Sequence, residues 1–287
     1  MSGVPAIANN ARNIKLLIEY EGTNYHGWQL QPGLETIQGI LQNGLAIITK
    51  SDVEVVGSGR TDAGVHALGQ VANFKTGSRM TPEEFKAALN SLLPKDIVIR
   101  DAQEVEDDFH ARYSAISRTY EYTILNSTTP SVFLRNYTYQ VHHPIDIDVM
   151  NDACESLLGT RDFSSFASSS DPVYNLVRTV YSARCRESLI CNPEFGEVSA
   201  LAGNCRGSNS PWYSDAENAM RLIRFRIEAN AFLRGMVRAI VGTLLEIGTG
   251  KTSPEKMKEI LEAKSRSSAG PSLPARGLCL IKVNYAQ

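Results

Sequence analysis

Residues 55 to 74 read Val-Val-Gly-Ser-Gly-Arg-Thr-Asp-Ala-Gly-Val-His-Ala-Leu-Gly-Gln-Val-Ala-Asn-Phe. An apolar run through Val53, Val55 and Val56 stops at Gly57 and Gly59, and a second apolar run resumes through Val71 and Phe74. Between them lie the polar or small residues Arg60 to Gly64, so the stretch reads as strand, tight loop, strand. Arg60 and Asp62 stand two positions apart at the loop tip. The flanking glycines let the backbone turn sharply or approach a ligand closely, which a Cβ would prevent. On spacing alone Asp62 is either a turn residue that hydrogen-bonds its own backbone or a carboxylate held at the tip of the loop for chemistry.

Upstream, Ile14 to Tyr20 is a strand, and Glu19 to Gln29 is a loop carrying Tyr25, His26 and Trp28. Trp28 either packs beneath that loop or contacts a ligand. Thr36 to Ile48 places Ile37, Ile40, Leu41, Leu45 and Ile48 at helical spacing behind Thr36 as cap. Downstream, Thr81-Pro82-Glu83-Glu84 is a helix start, with a capping threonine, proline in the first turn and acids at the N-terminal end. Phe85, Ala88, Leu89 and Leu92 form its buried stripe, and Ile97-Val98-Ile99 resumes a strand. The order strand, helix, strand, strand, helix, strand is ferredoxin-like.

The rest of the chain repeats that order. Ser117 to Ile124 alternates, with Arg118, Tyr120, Tyr122 and Ile124 on one face. Asp146 to Leu158 is a helix. Val177 to Glu187 is a strand whose cations include Arg178, Arg184 and Arg186. Residues 188–218 are polar and turn-rich and read as a hairpin insertion holding Trp212 and Tyr213. Arg221 to Ala229 is the partner strand, with Arg224 and Arg226 sharing a face. Phe232 to Ile247 reads as one helix with a wide apolar stripe, which would set Arg234 and Arg238 four apart on one face. Pro254 to Ala263 is a short helix, and Leu278 to Tyr285 is a closing strand. The expectation is an α+β protein of two ferredoxin-like halves, forming a broad, mainly antiparallel sheet backed by helices with an active-site cleft between the halves. Residues 1–12 would be a flexible tail, 13–110 the first half and 111–287 the second.

The segment Gly59-Arg60-Thr61-Asp62-Ala63-Gly64-Val65-His66-Ala67 closely resembles the signature of the tRNA pseudouridine synthase family called TruA. Further similar stretches are Tyr25-His26-Gly27-Trp28-Gln29, Asp108-Phe109-His110-Ala111-Arg112, Thr160 to Phe166, and Met236-Val237-Arg238 with Ile240-Val241-Gly242. The resemblance implies that Asp62 is the catalytic residue, that Tyr120 contacts the target base, and that Arg238 pairs with the catalytic aspartate. Arg60, Tyr120 and Arg238 are the expected substrate-binding residues. Gly235 departs from the bulkier polar residue common in relatives, which puts the neighbouring base contact in doubt.

Composition agrees with an ordinary globular chain: 287 residues, 43% hydrophobic and 21% charged. Such a length exceeds the usual single domain of about 100–150 residues. No apolar stretch reaches the roughly 18 residues of a membrane span, and Met1 to Asn10 shows no secretory pattern. The expectation is a cytoplasmic protein, or an organellar one after removal of a transit peptide. Five cysteines at irregular spacings argue for reduced thiols rather than a disulfide framework. Cys185, Cys191 and Cys205 lack the Cys-x-x-Cys pairing of a zinc site, so no metal is expected. A net charge of −2 does not mark a bulk polyanion binder, so any RNA surface must be a local patch. No lysine occurs between Lys95 and Lys251; every cation there is arginine, whose planar fork suits phosphate.

The reaction implied by the resemblance is isomerisation of uridine to pseudouridine in the anticodon stem-loop of tRNA, by a homodimer. The N1–C1′ bond breaks and C5 joins C1′, with no cofactor. Two routes stay open for Asp62: covalent attack, or removal of a ribose C2′ proton. The competing expectation is a non-catalytic RNA-binding protein on the same fold. That alternative would carry the aromatic pattern of an RNA-recognition motif, which the chain lacks.

Overall fold

The computed structural model describes residues 11–168, 175–190 and 220–286. Of the polar insertion expected at 188–218, residues 188–190 instead continue a paired strand, and the remainder, with Trp212 and Tyr213, lies outside the described residues, as does most of the expected tail. Among the described residues there are ten strands and five α-helices, with mostly antiparallel pairings. No described helix is long and apolar enough to cross a membrane. The chain divides into two compact units, Met1–Arg118 with Cys279–Gln287, and Thr119–Leu278.

The first unit contains β1 (Arg12–Tyr20), α1 (Ile37–Thr49), β2 (Val55–Gly57), β3 (His66–Thr76), α2 (Pro82–Leu92) and β4 (Ile97–Val105). Its strands lie in the order β4-β1-β3, with β2 on β3, all antiparallel. β1 begins two residues earlier than Ile14, because Arg12 pairs with Thr76 and its guanidinium bridges Glu104 at 2.6 Å. Ile14, Leu16 and Ile18 alternate into a core with Leu41, Leu45, Phe85 and Leu89, each fully buried. α1 is capped by the Thr36 side chain, as its sequence indicates. α2 carries a complete capping box, in which Glu84 N donates to Thr81 Oγ1 and Thr81 N to Glu84 Oε2. The closing strand β10 (Leu278–Tyr285) runs parallel to β3, setting Cys279 beside His66 and Leu280 beside Ala67.

The second unit takes in most of β5 (Ala115–Asn126), then β6 (Tyr139–Val141), α3 (Ile147–Glu155), β7 (Gly159–Asp162), β8 (Val177–Ile190), β9 (Met220–Ala229), α4 (Met236–Gly248) and α5 (Lys256–Ala263). Its strand order is β5-β9-β8-β7, with the short β6 parallel to β5. α3 is capped by Asp146, whose carboxylate accepts from Asp148 N and Val149 N. α4 departs from expectation. Gly235 has φ 72° and ends the approach to the helix, so α4 starts at Met236 rather than Phe232. Arg234 therefore lies ahead of α4 and shares no helical face with Arg238, correcting the spacing argument. Cys154 on α3 and Cys185 on β8 are free, buried thiols. Their mutual hydrogen bond and then burial hold the Cys154 thiol protonated, far above its usual range.

Candidate active site

The loop between β2 and β3 is pinned from several sides. Val65 N donates to Asp62 O at 3.1 Å, closing a tight turn in which Gly64 has φ 78°. Asp62 is thus a turn residue through its backbone, while its side chain is half-exposed between buried Thr61 and exposed Ala63. The turn and the chemical readings are compatible: the turn presents the carboxylate. Arg60 is exposed, and its Nε donates to Gln29 Oε1 at 2.9 Å.

The segment Tyr25 to Gln29 lies directly against this loop. Trp28 N donates to Thr61 O at 3.1 Å, and Gly64 N to Tyr25 O at 3.3 Å. Gly27, with φ 87°, leaves no room for a side chain: a Cβ there would stand 2.5 Å from Thr61 O and 3.0 Å from the Asp62 carbonyl carbon. Trp28 is 1% exposed and packs on Gly57, where a Cβ would stand 2.4 Å from the indole nitrogen. Of the two readings left open for Trp28, packing beneath the loop is the observed one. The same segment is tied to α1, since Ile37 N donates to Gly27 O and the buried Gln38 links Leu30 N to Val55 O. Tyr25 anchors its far side through a hydrogen bond from its hydroxyl to Asp96. Burial, and then Asp96, push that hydroxyl well above the usual tyrosine range.

Buried polar side chains complete the bracing, and the sequence reading overlooked them. Gln70, fully buried on β3, accepts from Ser58 Oγ at 2.7 Å and donates to Gly59 O at 3.0 Å. Arg118 Nη2 donates to Ser58 O at 2.8 Å. The Tyr20 and Thr61 hydroxyls share a hydrogen bond of 2.8 Å. Gly22 N donates to Nδ1 of the buried His66 at 3.1 Å. The buried groups among these, on Tyr20, Ser58, Thr61, His66 and Gln70, are taken from water and would be costly unpaired, by about 1–3 kcal/mol, so the network specifies one loop conformation. One signal was available in the sequence: a glutamine amid Val-His-Ala-Leu-Gly-Gln-Val-Ala occupies a strand position that faces the core.

In the second unit, Tyr120 is 8% exposed and meets Phe232 edge-on, with ring centroids 5.1 Å apart. Tyr122, the next residue on that face, is fully buried and donates to Pro274 O at 2.8 Å. Burial raises the Tyr122 hydroxyl above its usual range, and the positive charges of Arg238 and Arg276 oppose that rise. Arg238 is half-buried on α4, and its Nε donates to Leu273 O at 2.5 Å. Arg234 is exposed. Arg60 and Asp62 thus share one loop of the first unit, while Tyr120 and Arg238 belong to the helix-packed side of the second. Among the described residues no group of three His, Cys, Asp or Glu side chains is arranged to hold a metal ion.

The chain matches the family described as tRNA pseudouridine synthase over residues 16–114 and 153–286, which takes in Asp62 and Arg238. It is 42% identical over 274 residues to a tRNA pseudouridine synthase A of Acetivibrio thermocellus, covering 96% of this chain and all of the relative. It is 43% identical, with the same coverage, to tRNA pseudouridine synthase A 2 of Clostridium perfringens. A tRNA pseudouridine synthase A of Caldicellulosiruptor saccharolyticus is also 43% identical over 274 residues.

Proposed function

The chain belongs to the tRNA pseudouridine synthase family, and from that premise we propose that Asp62 drives its conversion of uridine to pseudouridine in the anticodon stem-loop of tRNA. The observation that carries the assignment is the loop geometry. Asp62 is a half-exposed carboxylate on a backbone held by Trp28, Gln70, Arg118 and Tyr20. Fixing a reacting group before the substrate arrives removes the entropic cost of orienting it during the reaction. A loop braced by buried hydrogen bonds does that for a carboxylate.

The reaction is an isomerisation. The N1–C1′ bond breaks, the uracil turns, C5 bonds to C1′, the C5 proton leaves and N1 regains one. The Asp62 carboxylate either adds to the substrate or takes the ribose C2′ proton during departure of the base. Tyr120, Arg60 and Arg238 bind the substrate: Tyr120 through its ring, the arginines through charge and hydrogen bonds. The target base must leave its stack, at a cost of a few kcal/mol, which phosphate contacts offset. The protein acts in the cytoplasm as a homodimer.

The deciding experiment uses tRNA carrying uridine tritiated at C5. Purified protein alone should release tritium to water, and mass-spectrometric mapping should find the product in the anticodon stem-loop. Binding without tritium release would point instead to a non-catalytic RNA-binding protein. Sedimentation of the free protein tests the homodimer.

A further inference from the structure

The paired strands β8 and β9 carry an array of arginines that the reaction does not use. In their antiparallel register Arg184 stands opposite Arg226, and Arg186 opposite Arg224. The pair between them, Cys185 opposite Phe225, points the other way and is buried, 2% and 0% exposed. Asn151 of α3 hydrogen-bonds both backbone groups of Cys185. The four guanidinium groups therefore share the face turned away from α3. Arg184, Arg186 and Arg226 are exposed and Arg224 is half-buried.

The charge on this face is unbalanced. Glu121 of β5 approaches Arg226 at 2.8 Å and Arg224 at 3.7 Å. Glu228, two residues beyond Arg226, lies on the same face, opposite Ser182. Among the described residues of these strands, four arginines against two carboxylates leave two positive charges in excess. Among the described residues no carboxylate lies within ion-pair distance of Arg184 or Arg186. Like charges set directly opposite each other weaken a strand pair, and this hairpin repeats that arrangement in two successive outward-facing pairs. Fold stability alone does not account for such a pattern, whereas binding of an anion would.

The spacing indicates which anion. The two pairs are about 7 Å apart along the strands, and partners across the strands are about 5 Å apart. An extended two-by-two array of forked donors suits successive phosphates of a polynucleotide strand better than one compact anion. Tyr181, 51% exposed at the bulge beside the array, offers an aromatic ring on the same hairpin. Because neighbouring residues of a strand point to opposite faces, Glu121 and the array face away from Tyr120. We propose that Arg184, Arg186, Arg224 and Arg226 form a second RNA contact, which holds the phosphate backbone of tRNA at a place remote from the reacting nucleotide. The proposal rests on the tRNA-modifying function above.

The test is the salt dependence of whole-tRNA binding by the full chain. Each lost phosphate contact lowers the slope of log Kd against log salt by about 1. Arg184→Gln with Arg186→Gln should lower it by about 1.5–2 and weaken binding about tenfold at physiological salt, with a melting temperature equal to the parent's or above it, since the opposed like charges are relieved. Arg184→Lys with Arg186→Lys should retain most of the slope. The single Arg184→Gln, expected to lower the slope by about half as much, serves if the double variant does not fold. A wild-type slope in a folded double variant overturns the proposal. A shift of the variant towards monomer in sedimentation, with the slope unchanged, also overturns it and makes this face a contact between copies. Tritium release by the wild-type protein separates the two readings: release with an unchanged slope sinks this inference alone, and no release sinks the enzymatic reading.

Discussion

The loop from Gly57 to Val65 and the segment from Asn230 to Arg238 both present charged residues, and they do so by different physical means. The first is held by polar atoms. Its carbonyls and hydroxyls are matched by Trp28, Gln70, Arg118 and Tyr20, and glycines at 27 and 57 allow the close approach. The second is held mainly by apolar packing. Leu233, Met236, Val237, Ala239 and Ile240 are buried, and Arg238 reaches out of that core to Leu273 O. A polar brace fixes backbone position residue by residue, because every donor must meet its acceptor. An apolar helix fixes position through packing and leaves its long charged side chains more latitude. The comparison predicts that function is sensitive to small changes around the loop and tolerant of them just ahead of α4.

The largest expected effect is at the loop tip. Asp62→Asn keeps the turn, because the Val65 hydrogen bond is to backbone, but removes the charge. The variant should fold and bind tRNA like the parent, with pseudouridine formation reduced on the order of 10⁴-fold or more. Measurable product near the parental rate would sink the site assignment.

Gly27→Ala tests the brace itself. Alanine at a left-handed position, with its Cβ against the Thr61 carbonyl, should cost about 2–4 kcal/mol and lower turnover in whatever folds. A neutral result in thermal melting would show that the Tyr25–Gln29 segment does not fix the loop.

Arg238→Ala should lower pseudouridine formation about 10²-fold. Because Arg238 also caps Leu273 O, a stability loss of about 1–2 kcal/mol is expected, more than a solvent-facing arginine would show. Single-turnover kinetics and denaturant melts measure the two separately. Unaltered turnover would return Arg238 to a purely structural role.

Tyr20→Phe removes one hydroxyl from the brace and leaves Thr61 Oγ1 to find another partner, a cost of about 1 kcal/mol. Its kcat should fall more than its KM rises, since the loop rather than the binding surface is disturbed. The smallest effect is expected from Arg234→Ala. It is exposed ahead of α4, so a stability change within about 0.5 kcal/mol is expected. A large loss of activity there would break the contrast between the two regions.

Much of the fold was legible because its signals are local. Thr36 and Thr81 announce α1 and α2 through the backbone N–H groups they satisfy. The alternation along Ile14 to Tyr20 places one face of β1 in the core. The reading of Phe232 to Ile247 as one helix failed for a reason that apolar periodicity does not carry. Leu233 is buried as the stripe requires, but Gly235 takes a positive φ, so Leu233 enters the core from an irregular turn. Arg234 and Arg238 were thereby misassigned to one face.

The candidate site divides along the same line. Sequence alone determined that a carboxylate stands at the tip of a glycine-flanked loop, because turn chemistry depends on neighbours in the chain. It also determined that arginines alternate along β8 and β9, because strand periodicity is local. Only the tertiary structure decided what holds the loop: Gln70 reaches back to Ser58 and Gly59, Trp28 fills the space that Gly57 leaves, and Tyr20 meets Thr61 across 41 residues. It alone set Arg184 opposite Arg226 and Arg186 opposite Arg224, since cross-strand register follows from how two distant segments pair and not from either one.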